Sequence, residues 1–254
     1  MSACRAARDD VARVLAELPG RAEREPVVGA GEGGDETTAV DAAAERAILP
    51  HFDGHRIVSE EVGIHGEGRY TIVVDPIDGS LNAKRGIPFF SISIAVAEGE
   101  TMDDVVFGYV FDFGTGEEWT ATRGGGARLN GDPITERPKD VLEILSFEAT
   151  TTAYVSENAA RFDGIAHRLR IMGSLAITLC HFAAGRVDGV VSLKAARSVD
   201  IAAAQLLVRE QGLAIDLPDD PPFGKAPLDL IGRSRVAAAG NDELCRQLAT
   251  ALTR

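Results

Sequence analysis

The sequence has few cysteines, few lysines and no long apolar run, and each shortage excludes a class of protein. Its three cysteines, Cys4, Cys180 and Cys245, are far apart and match no metal-ligand spacing. This pattern predicts packed thiols in a reducing cytoplasm rather than a disulfide framework. No segment approaches the ~18 consecutive apolar residues that a membrane span needs, and the N-terminus lacks the apolar core of a secretory signal. We therefore expect a cytoplasmic protein without a membrane partner.

Positive charge is the next shortage. The chain has 26 Lys and Arg residues against 39 Asp and Glu residues, which gives a net charge of −13. A protein that binds nucleic acid needs a basic surface for the phosphates, so this balance argues against a nucleic-acid partner. An acidic surface attracts cations, and cations are the partners that the composition favours.

The 254 residues, 45% of them hydrophobic, are enough for one large domain or two closely packed halves. Apolar periodicity predicts an α+β half with a mostly antiparallel sheet in residues 1–137, and an α/β half with alternating strands and helices in residues 138–254. The predicted helices are 3–18, 35–49, 156–162, 174–185, 200–212 and 241–252, and the predicted strands are 56–59, 70–74, 91–97, 105–111, 117–122, 144–147, 168–173, 187–193 and 235–240, with a glycine-rich hairpin at 122–131.

Residues 20–34 contain the spacing Gly29-x-Gly31-x-x-Gly34, which also occurs in dinucleotide-binding loops. In those loops the glycines follow a strand, and an acidic residue ends the second strand of the unit. Here only Val27 and Val28 precede the glycines as a candidate strand, and no acidic residue stands at that later position. We interpret the segment as a flexible loop without a nucleotide-binding role.

Two aspartates, Asp75 and Asp78, follow directly after the apolar strand YTIVV. A proline fixes the backbone between them, and Gly79-Ser80 opens the next helix. This arrangement directs both carboxylates and the carbonyl group of Ile77 to one spot, which the free N–H groups of Gly79 and Ser80 also face. Hard oxygen ligands beside N–H groups suit Mg²⁺ and a phosphate group together.

Two alternative interpretations of the Asp75–Asp78 motif stay open. Asp-Pro and Asp-Gly are ordinary turn dipeptides, and Asp78 could cap the helix that follows. A phosphatase that forms an aspartyl-phosphate carries Asp-x-Asp after a strand, whereas the spacing here is Asp-x-x-Asp. An EF-hand loop is excluded, because its alternating Asp and Asn ligands and its closing Glu are missing.

Further acidic side chains stand where predicted elements begin or end; these are Asp41, Glu60, Glu61 and Asp200. Each could have a purely structural role, namely a capping box with Thr38, a solvated turn, or a favourable contact with a helix dipole. Their combination with Asp75 and Asp78 favours a shared cation site instead.

These motifs resemble the inositol monophosphatase superfamily of Mg²⁺-dependent, lithium-sensitive sugar phosphatases. The block from Asp75 to Gly99 is most similar to the archaeal-type branch, whose members hydrolyse both inositol-1-phosphate and fructose-1,6-bisphosphate. The resemblance implies an α/β (α+β) fold, a layered αβαβα sandwich with the site between its halves, and a homodimer. The matching segments, in the family's order and spacing, are DETTAVD (35–41), SEE (59–61), DPIDGSLN (75–82), GSLAITLCHFAAGRVDGVVS (173–192) and VDIAAAQLLVREQG (199–212).

The resemblance also implies two or three Mg²⁺ ions in each active site. Glu60, Asp75 and the Ile77 carbonyl group would hold one ion, and a third, weaker ion would rest on Glu60 and water. Asp75, Asp78 and Asp200 would hold the second. A metal-activated water would then attack the phosphorus atom in line with the leaving sugar oxygen.

The residues around the metals receive roles by the same resemblance. Asp41 and Ser80 would relay the proton of the attacking water, and Thr38 would steady the helix start beside them. The N–H groups of Gly79 and Ser80 would hold phosphate oxygens, and Ser174 would contact the sugar or the phosphate. The family has Thr where this chain has Ser80, a change that keeps the hydroxyl group.

Two departures from the family pattern bear on the substrate. Animal inositol-phosphate enzymes have a Glu seven residues before the distal Asp and a Trp directly before it, where this chain has Leu193 and Val199. Strict inositol specificity is therefore in doubt. Lys194 and Arg197 are candidate ligands of a second phosphate group, as a bisphosphate sugar requires, or they are solvated residues that offset an acidic site.

The leading prediction is a Mg²⁺-dependent phosphomonoesterase that acts on fructose-1,6-bisphosphate, inositol-1-phosphate or both. One alternative is a related phosphatase that acts on 3′-phosphoadenosine 5′-phosphate or histidinol phosphate. Another is a non-catalytic cation-binding or regulatory protein that keeps this fold.

Overall fold

The structure, a computed structural model, describes residues 1–32, 36–148, 151–219 and 222–253. Its α-helices are α1 (Ser2–Glu17), α2 (Arg21–Arg24), α3 (Ala39–Ile48), α4 (Ser80–Arg85), α5 (Thr152–Asn158), α6 (Leu175–Ala183), α7 (Ser198–Glu210) and α8 (Asp242–Thr253). Its strands are β1 (Val27–Ala30), β2 (Glu36–Thr38), β3 (Arg56–Ser59), β4 (Gly63–His65), β5 (Thr71–Asp78), β6 (Ser91–Ala97), β7 (Val105–Asp112), β8 (Glu118–Thr122), β9 (Gly126–Leu129), β10 (Asp132–Pro133), β11 (Leu142–Glu148), β12 (Ala166–Arg170), β13 (Gly189–Ser192), β14 (Ala214–Asp216) and β15 (Ala237–Ala239).

Two large sheets organise the molecule. The first has the strand order β10-β9-β8-β7-β6-β5-β3-β4, and its neighbours are antiparallel except for the parallel pair β3 and β5. The second has the order β12-β11-β13-β15-β14, in which β11 is parallel to both of its neighbours. The predicted mostly antiparallel first sheet is confirmed.

The helices pack on these sheets through three apolar cores. Helices α1 and α3 pack on one face of the first sheet, where residues such as Val11, Ala44 and Ile92 are buried together. Helices α6 and α7 lie between the two sheets, and α8 covers the outer face of the second sheet with Leu248 and Leu252. The layers therefore run helix, sheet, helix, sheet, helix, which confirms the predicted αβαβα sandwich.

Helices form where apolar residues recur every three or four positions. In α1 the buried residues are Cys4, Ala7, Val11 and Leu15, so one stripe faces the core. All three cysteines are buried free thiols, as their spacing predicts. None of the described helices is long and apolar enough to cross a membrane.

Some predicted elements are wrong in detail. Residues 27–30, assigned to a loop, form strand β1, which pairs antiparallel with β2. Helix α3 begins at Ala39 rather than at residue 35, because residues 36–38 are used in this hairpin; Gly34 and Asp35 lie outside the described residues. The alternation of strands and helices also fails between α7 and α8, where β14 and β15 pair with each other.

The predicted division after residue 137 falls between the last strand of the first sheet and the first strand of the second. Helix α7, from the second half, packs on strands of the first sheet. Whether the halves are separate units stays a prediction.

Candidate active site

The last residues of β5, a strand buried along its whole length, place two aspartates at its C-terminal end. The strand extends past its predicted end at Val74 to Asp78, and its pairing with β6 shifts register between Asp75 and Asp78. Gly79 then adopts φ 89°, and a Cβ atom there would lie 3.0 Å from the carbonyl oxygen of Gly173. A glycine is needed at this position on both counts, and it allows α4 to begin at once.

Most of the predicted site residues line one cavity of about 350 Å³. Its walls come from the ends of β3 and β5, the start of α4, and the segment that leads into α7. The structure therefore brings together carboxylates from distant parts of the chain. The predicted residues in the lining are Asp41, Glu60, Asp75, Ile77, Asp78, Gly79, Ser80, Lys194, Arg197 and Asp200.

Burial disfavours the ionisation of three carboxyl groups of this cavity, those of Glu60, Asp75 and Asp78. Burial, followed by the charges of Glu60, Asp78 and Asp200, raises the pKa of Asp75 well above its ordinary value. Burial is also the main cause that raises the pKa of Glu60 to about 7 and that of Asp78 to about 6. Such crowding of buried carboxylates calls for compensating positive charge.

The remaining two predicted residues, Thr38 and Ser174, contact lining carboxylates. Ser174 Oγ donates to Asp78 Oδ2 at 2.5 Å, and the N–H group of Ala176 donates to the same oxygen at 2.7 Å. Asp78 therefore joins the first sheet to the start of α6. Thr38 Oγ1 donates to Asp41 Oδ2 at 2.5 Å, and the two residues form the capping box that opens α3.

Ser80 and Asp41 lie in the same cavity but bond to different groups. Ser80 Oγ donates to the carbonyl oxygen of Ile77 at 2.9 Å. Asp41 Oδ2 is 3.8 Å from Lys84 Nζ, and its buried Oδ1 has no hydrogen-bond partner among the described residues. The proton relay between Ser80 and Asp41 stays a prediction.

Arg197 lies among the cavity carboxylates. Its Nη1 forms an ion pair with Glu60 Oε1, and its Nη2 is 3.1 Å from Asp200 Oδ1. Burial opposes its charge, but Asp200 and Glu60 raise the pKa of Arg197 above its ordinary value. Only 11% of the side chain is exposed, so Arg197 is not solvated, but its ion pairs do offset the acidic site as that alternative held. Lys194, in contrast, is exposed at the cavity.

Other residues of the lining were not predicted from the sequence. Glu148 follows the predicted strand 144–147, so the rule that pointed to Glu60 would have found it. Lys84 lies four residues after Ser80 on α4, a spacing that places both side chains on one helix face. Arg233 also lines the cavity, and its loop gives no comparable signal.

The donor set fits a hard divalent cation. Glu60, Asp75, Asp78 and Asp200 supply carboxylate oxygens, which are the ligands that Mg²⁺ prefers. Burial and neighbouring carboxylates raise the pKa of Glu60 and Asp75, and Asp41 Oδ1 has no hydrogen-bond partner among the described residues, so a bound cation would favour the ionised carboxylates.

Among the described residues, three ligand atoms within 4.8 Å of one another occur in a group outside the cavity and not among the cavity carboxylates. These atoms belong to Asp112, Glu117 and His181. However, Arg186 forms two hydrogen bonds with the Glu117 carboxylate, at 2.6 and 2.7 Å. The positive charge of Arg186 offsets the Glu117 carboxylate, as that of Arg197 offsets Glu60 and Asp200 in the cavity.

Comparisons with known proteins agree with this geometry. The pattern of the inositol monophosphatase family matches residues 2–253. A fructose-1,6-bisphosphatase/inositol-1-monophosphatase of Archaeoglobus fulgidus is 33% identical over 240 residues, which cover 92% of this chain and 90% of the relative. The Nus factor SuhB of Salmonella typhimurium is 35% identical over 236 residues, which cover 87% of this chain and 86% of the relative.

A solved inositol monophosphatase–fructose-1,6-bisphosphatase superposes with a TM-score of 0.84 at 27% identity, over 96% of this chain and 95% of that one. The predicted fold type and phosphatase class are thereby confirmed. The chain belongs to the inositol monophosphatase family.

Proposed function

We propose that this protein hydrolyses small sugar phosphates, with fructose-1,6-bisphosphate and inositol-1-phosphate as the leading substrates. The observation that carries the proposal is the convergence of Glu60, Asp75, Asp78 and Asp200 in one cavity. A volume of about 350 Å³ lies in the range of cavities that bind small molecules.

The family is metal-dependent, and we propose Mg²⁺ as the metal, with two or three ions in each site. The first ion would be held by Glu60, Asp75 and the Ile77 carbonyl group. The second would be held by Asp75, Asp78 and Asp200. The third would rest on Glu60. Bound cations would lower the pKa of the attacking water and neutralise the charge of the departing oxygen.

The chain's own groups would orient the phosphate and move the proton. The Ser80 hydroxyl group, once it turns away from the Ile77 carbonyl, would take the proton of the water and donate its own proton to Asp41. Thr38 donates to one oxygen of Asp41, and the other oxygen has no hydrogen-bond partner among the described residues, so it can receive that proton. The N–H groups of Gly79 and Ser80 would hold phosphate oxygens. Ser174 supports this arrangement through Asp78.

Three cationic side chains favour a substrate with a second phosphate group. Lys84, Lys194 and Arg233 line the cavity in addition to Arg197. Leu193 and Val199 stand where the animal inositol enzymes have Glu and Trp, which weakens recognition of inositol hydroxyl groups. The Archaeoglobus fulgidus relative is named for both activities. We therefore rank fructose-1,6-bisphosphate first.

A regulatory role without turnover is the second candidate. It is favoured by the Salmonella typhimurium relative, which is named as a Nus factor. The acidic cavity would then bind cations for stability rather than for catalysis.

A phosphate-release assay separates these candidates. It compares fructose-1,6-bisphosphate, inositol-1-phosphate, histidinol phosphate and 3′-phosphoadenosine 5′-phosphate, each with Mg²⁺ and with EDTA. We expect turnover of the first two with Mg²⁺ only, and a loss of several orders of magnitude in Asp78→Asn.

The matched control is Asp188→Asn. Asp188 is a buried aspartate outside the cavity whose two oxygens accept backbone N–H groups. We expect this variant to keep its activity. Near-normal activity of Asp78→Asn would refute the site, and no turnover of any substrate would favour the regulatory role.

We also propose a homodimer in the cytoplasm. Its contact surface would be the outer edge of β12 with the neighbouring exposed side chains of Ile87, Leu169, Ile171 and Met172. Asn82 Nδ2 donates to the Met172 carbonyl oxygen at 2.8 Å, which keeps the two segments adjacent. The buried free thiols suit a reducing compartment.

A further inference from the structure

Arg197 holds together two carboxylates from different layers of the molecule. Glu60 follows β3 of the first sheet, and Asp200 lies in the first turn of α7. The guanidinium group contacts Glu60 through Nη1, and Asp200 through Nη2 at 3.1 Å and Nε at 3.4 Å. All three side chains are nearly enclosed, with exposed fractions of 11% for Arg197, 14% for Glu60 and 15% for Asp200.

A planar guanidinium group with several N–H donors is well suited to bridge two carboxylates. The backbone N–H group of Arg197 also donates to Asp200 Oδ2 at 2.7 Å, so Asp200 caps α7 whether or not the guanidinium group is there. The side chain can therefore leave without undoing the helix start.

The same oxygens are those that a divalent cation would take. Mg²⁺ binds carboxylate oxygens at about 2.0–2.1 Å. A guanidinium group on Glu60 Oε1 and Asp200 Oδ1 would then lie directly against the ion, and the two positive charges would repel each other at short range. Arg197 also lines the cavity of about 350 Å³, which gives its side chain room to turn away.

We propose that Arg197 is an internal counter-ion that exchanges with divalent cations. Its guanidinium group holds Glu60 and Asp200 together until cations bind, and it moves off these oxygens when they do. This role differs from that of a phosphate ligand, and the inference rests on the proposed cation site. Arg197 then has two opposite effects: it stabilises the cation-free protein, and it weakens the binding of cations.

The first test measures Mg²⁺ binding by titration calorimetry without substrate. It compares the wild type with Arg197→Gln, Arg197→Lys and Lys194→Gln. Because no guanidinium group must be displaced, we expect Arg197→Gln to bind Mg²⁺ on the order of tenfold more tightly, within the usual range of coupling between sites. Arg197→Lys keeps the charge but not the fork, so we expect an intermediate affinity.

Lys194→Gln is the matched control. Lys194 is three residues earlier, lines the same cavity and is exposed, so its removal changes the net charge equally. We expect its Mg²⁺ affinity to stay within about threefold of the wild type, because exposed charges are screened by solvent and salt.

The second test measures thermal unfolding with EDTA and with saturating Mg²⁺. Arg197→Gln should unfold at a lower temperature than the wild type in EDTA, and this difference should shrink when Mg²⁺ is added. If Arg197→Gln does not fold, the same two comparisons with Arg197→Lys decide the question.

The outcomes separate the exchange from the proposed function. An Arg197 variant that binds Mg²⁺ no more tightly than the wild type, or a gain equalled by Lys194→Gln, would overturn the exchange and leave the hydrolysis intact. A wild-type protein that binds no Mg²⁺ would overturn both. Metal binding with no turnover of any substrate would overturn only the hydrolysis.

Discussion

At the scale of single residues, Glu148 shows how a buried carboxyl group organises the cavity wall. Its Oε1 accepts hydrogen bonds from Thr178 Oγ1 at 2.8 Å and Ser146 Oγ at 3.1 Å, and its Oε2 accepts the N–H group of Gly173 at 3.0 Å. The next residue, Ser174, donates to Asp78. Glu148 therefore influences the carboxylate cluster indirectly. It holds Gly173 in place, and the adjacent Ser174 donates to Asp78.

Glu148 also predicts a pH dependence of stability. Burial raises its pKa from 4.5 to about 7, so the folded protein keeps a proton that the unfolded chain loses above pH 4.5. This contribution to stability is complete below pH 4.5 and is lost as the pH rises through 7. The loss is about 3 kcal/mol at pH 8.

Urea unfolding of Glu148→Gln between pH 5 and 8, in EDTA, measures this effect. Gln does not ionise, and its amide oxygen can still accept the Gly173 N–H group while its NH2 group donates to the Thr178 and Ser146 hydroxyl groups, which can turn to accept. We therefore expect the variant to gain stability relative to the wild type as the pH rises. Glu143→Gln is the control on the same strand, because Lys139 lowers the pKa of Glu143 rather than raising it. A constant difference between Glu148→Gln and the wild type would contradict the assignment.

At the scale of elements, the apolar pattern of the sequence predicts the helices and the buried strands more closely than it predicts the exposed elements. Strands β3 and β6 have the bounds 56–59 and 91–97 that the sequence predicts. Strand β1 is exposed along its whole length, so it lacks the alternation by which a half-buried strand is identified. It exists because β2 pairs with it, which no pattern within residues 27–30 could indicate.

Helix α8 gives a prediction at this scale. Leu248 is fully buried in the core that joins α8 to the second sheet. Leu248→Ala leaves a cavity there, and we expect a loss of about 2–5 kcal/mol in the free energy of unfolding. Gln247→Ala, exposed on the same helix, should change it by less than about 0.5 kcal/mol. Urea unfolding measures both, and equal effects would mean that α8 does not depend on this core.

At the scale of the whole molecule, β12 is an edge strand of the second sheet, and no further strand of the described residues pairs with its outer side. Strand β12 is the first of its sheet, and its side chains are mostly exposed. An open edge beside apolar side chains is a surface that a second chain can cover.

The homodimer predicts a mass of twice the chain in light scattering coupled to size-exclusion chromatography. Ile171, 50% exposed beside this edge, would be buried between the copies. We expect Ile171→Asp to shift the protein to a monomer, because a charge would be buried without a partner. Val27→Asp, an exposed apolar residue on β1, is the control and should stay dimeric. A monomeric wild type would refute the proposal.

The sequence by its own pattern indicated the two kinds of sheet and the pairing of Asp75 with Asp78. These properties depend on periodic apolar residues and on the motif DPIDGS, in which local backbone geometry already turns two carboxylates together. The layered sandwich and the convergence of Asp41, Glu60 and Asp200 on this pair could be inferred only through the family resemblance.

The pairing of opposite charges around the cavity follows from tertiary contacts alone. The tertiary structure placed Arg197 between Glu60 and Asp200, brought Lys84 near Asp41, and enclosed Glu148 beside Gly173. These contacts join residues as far as 137 positions apart. Side-chain direction and burial at such separations follow from how the layers stack, and no local pattern carries that information.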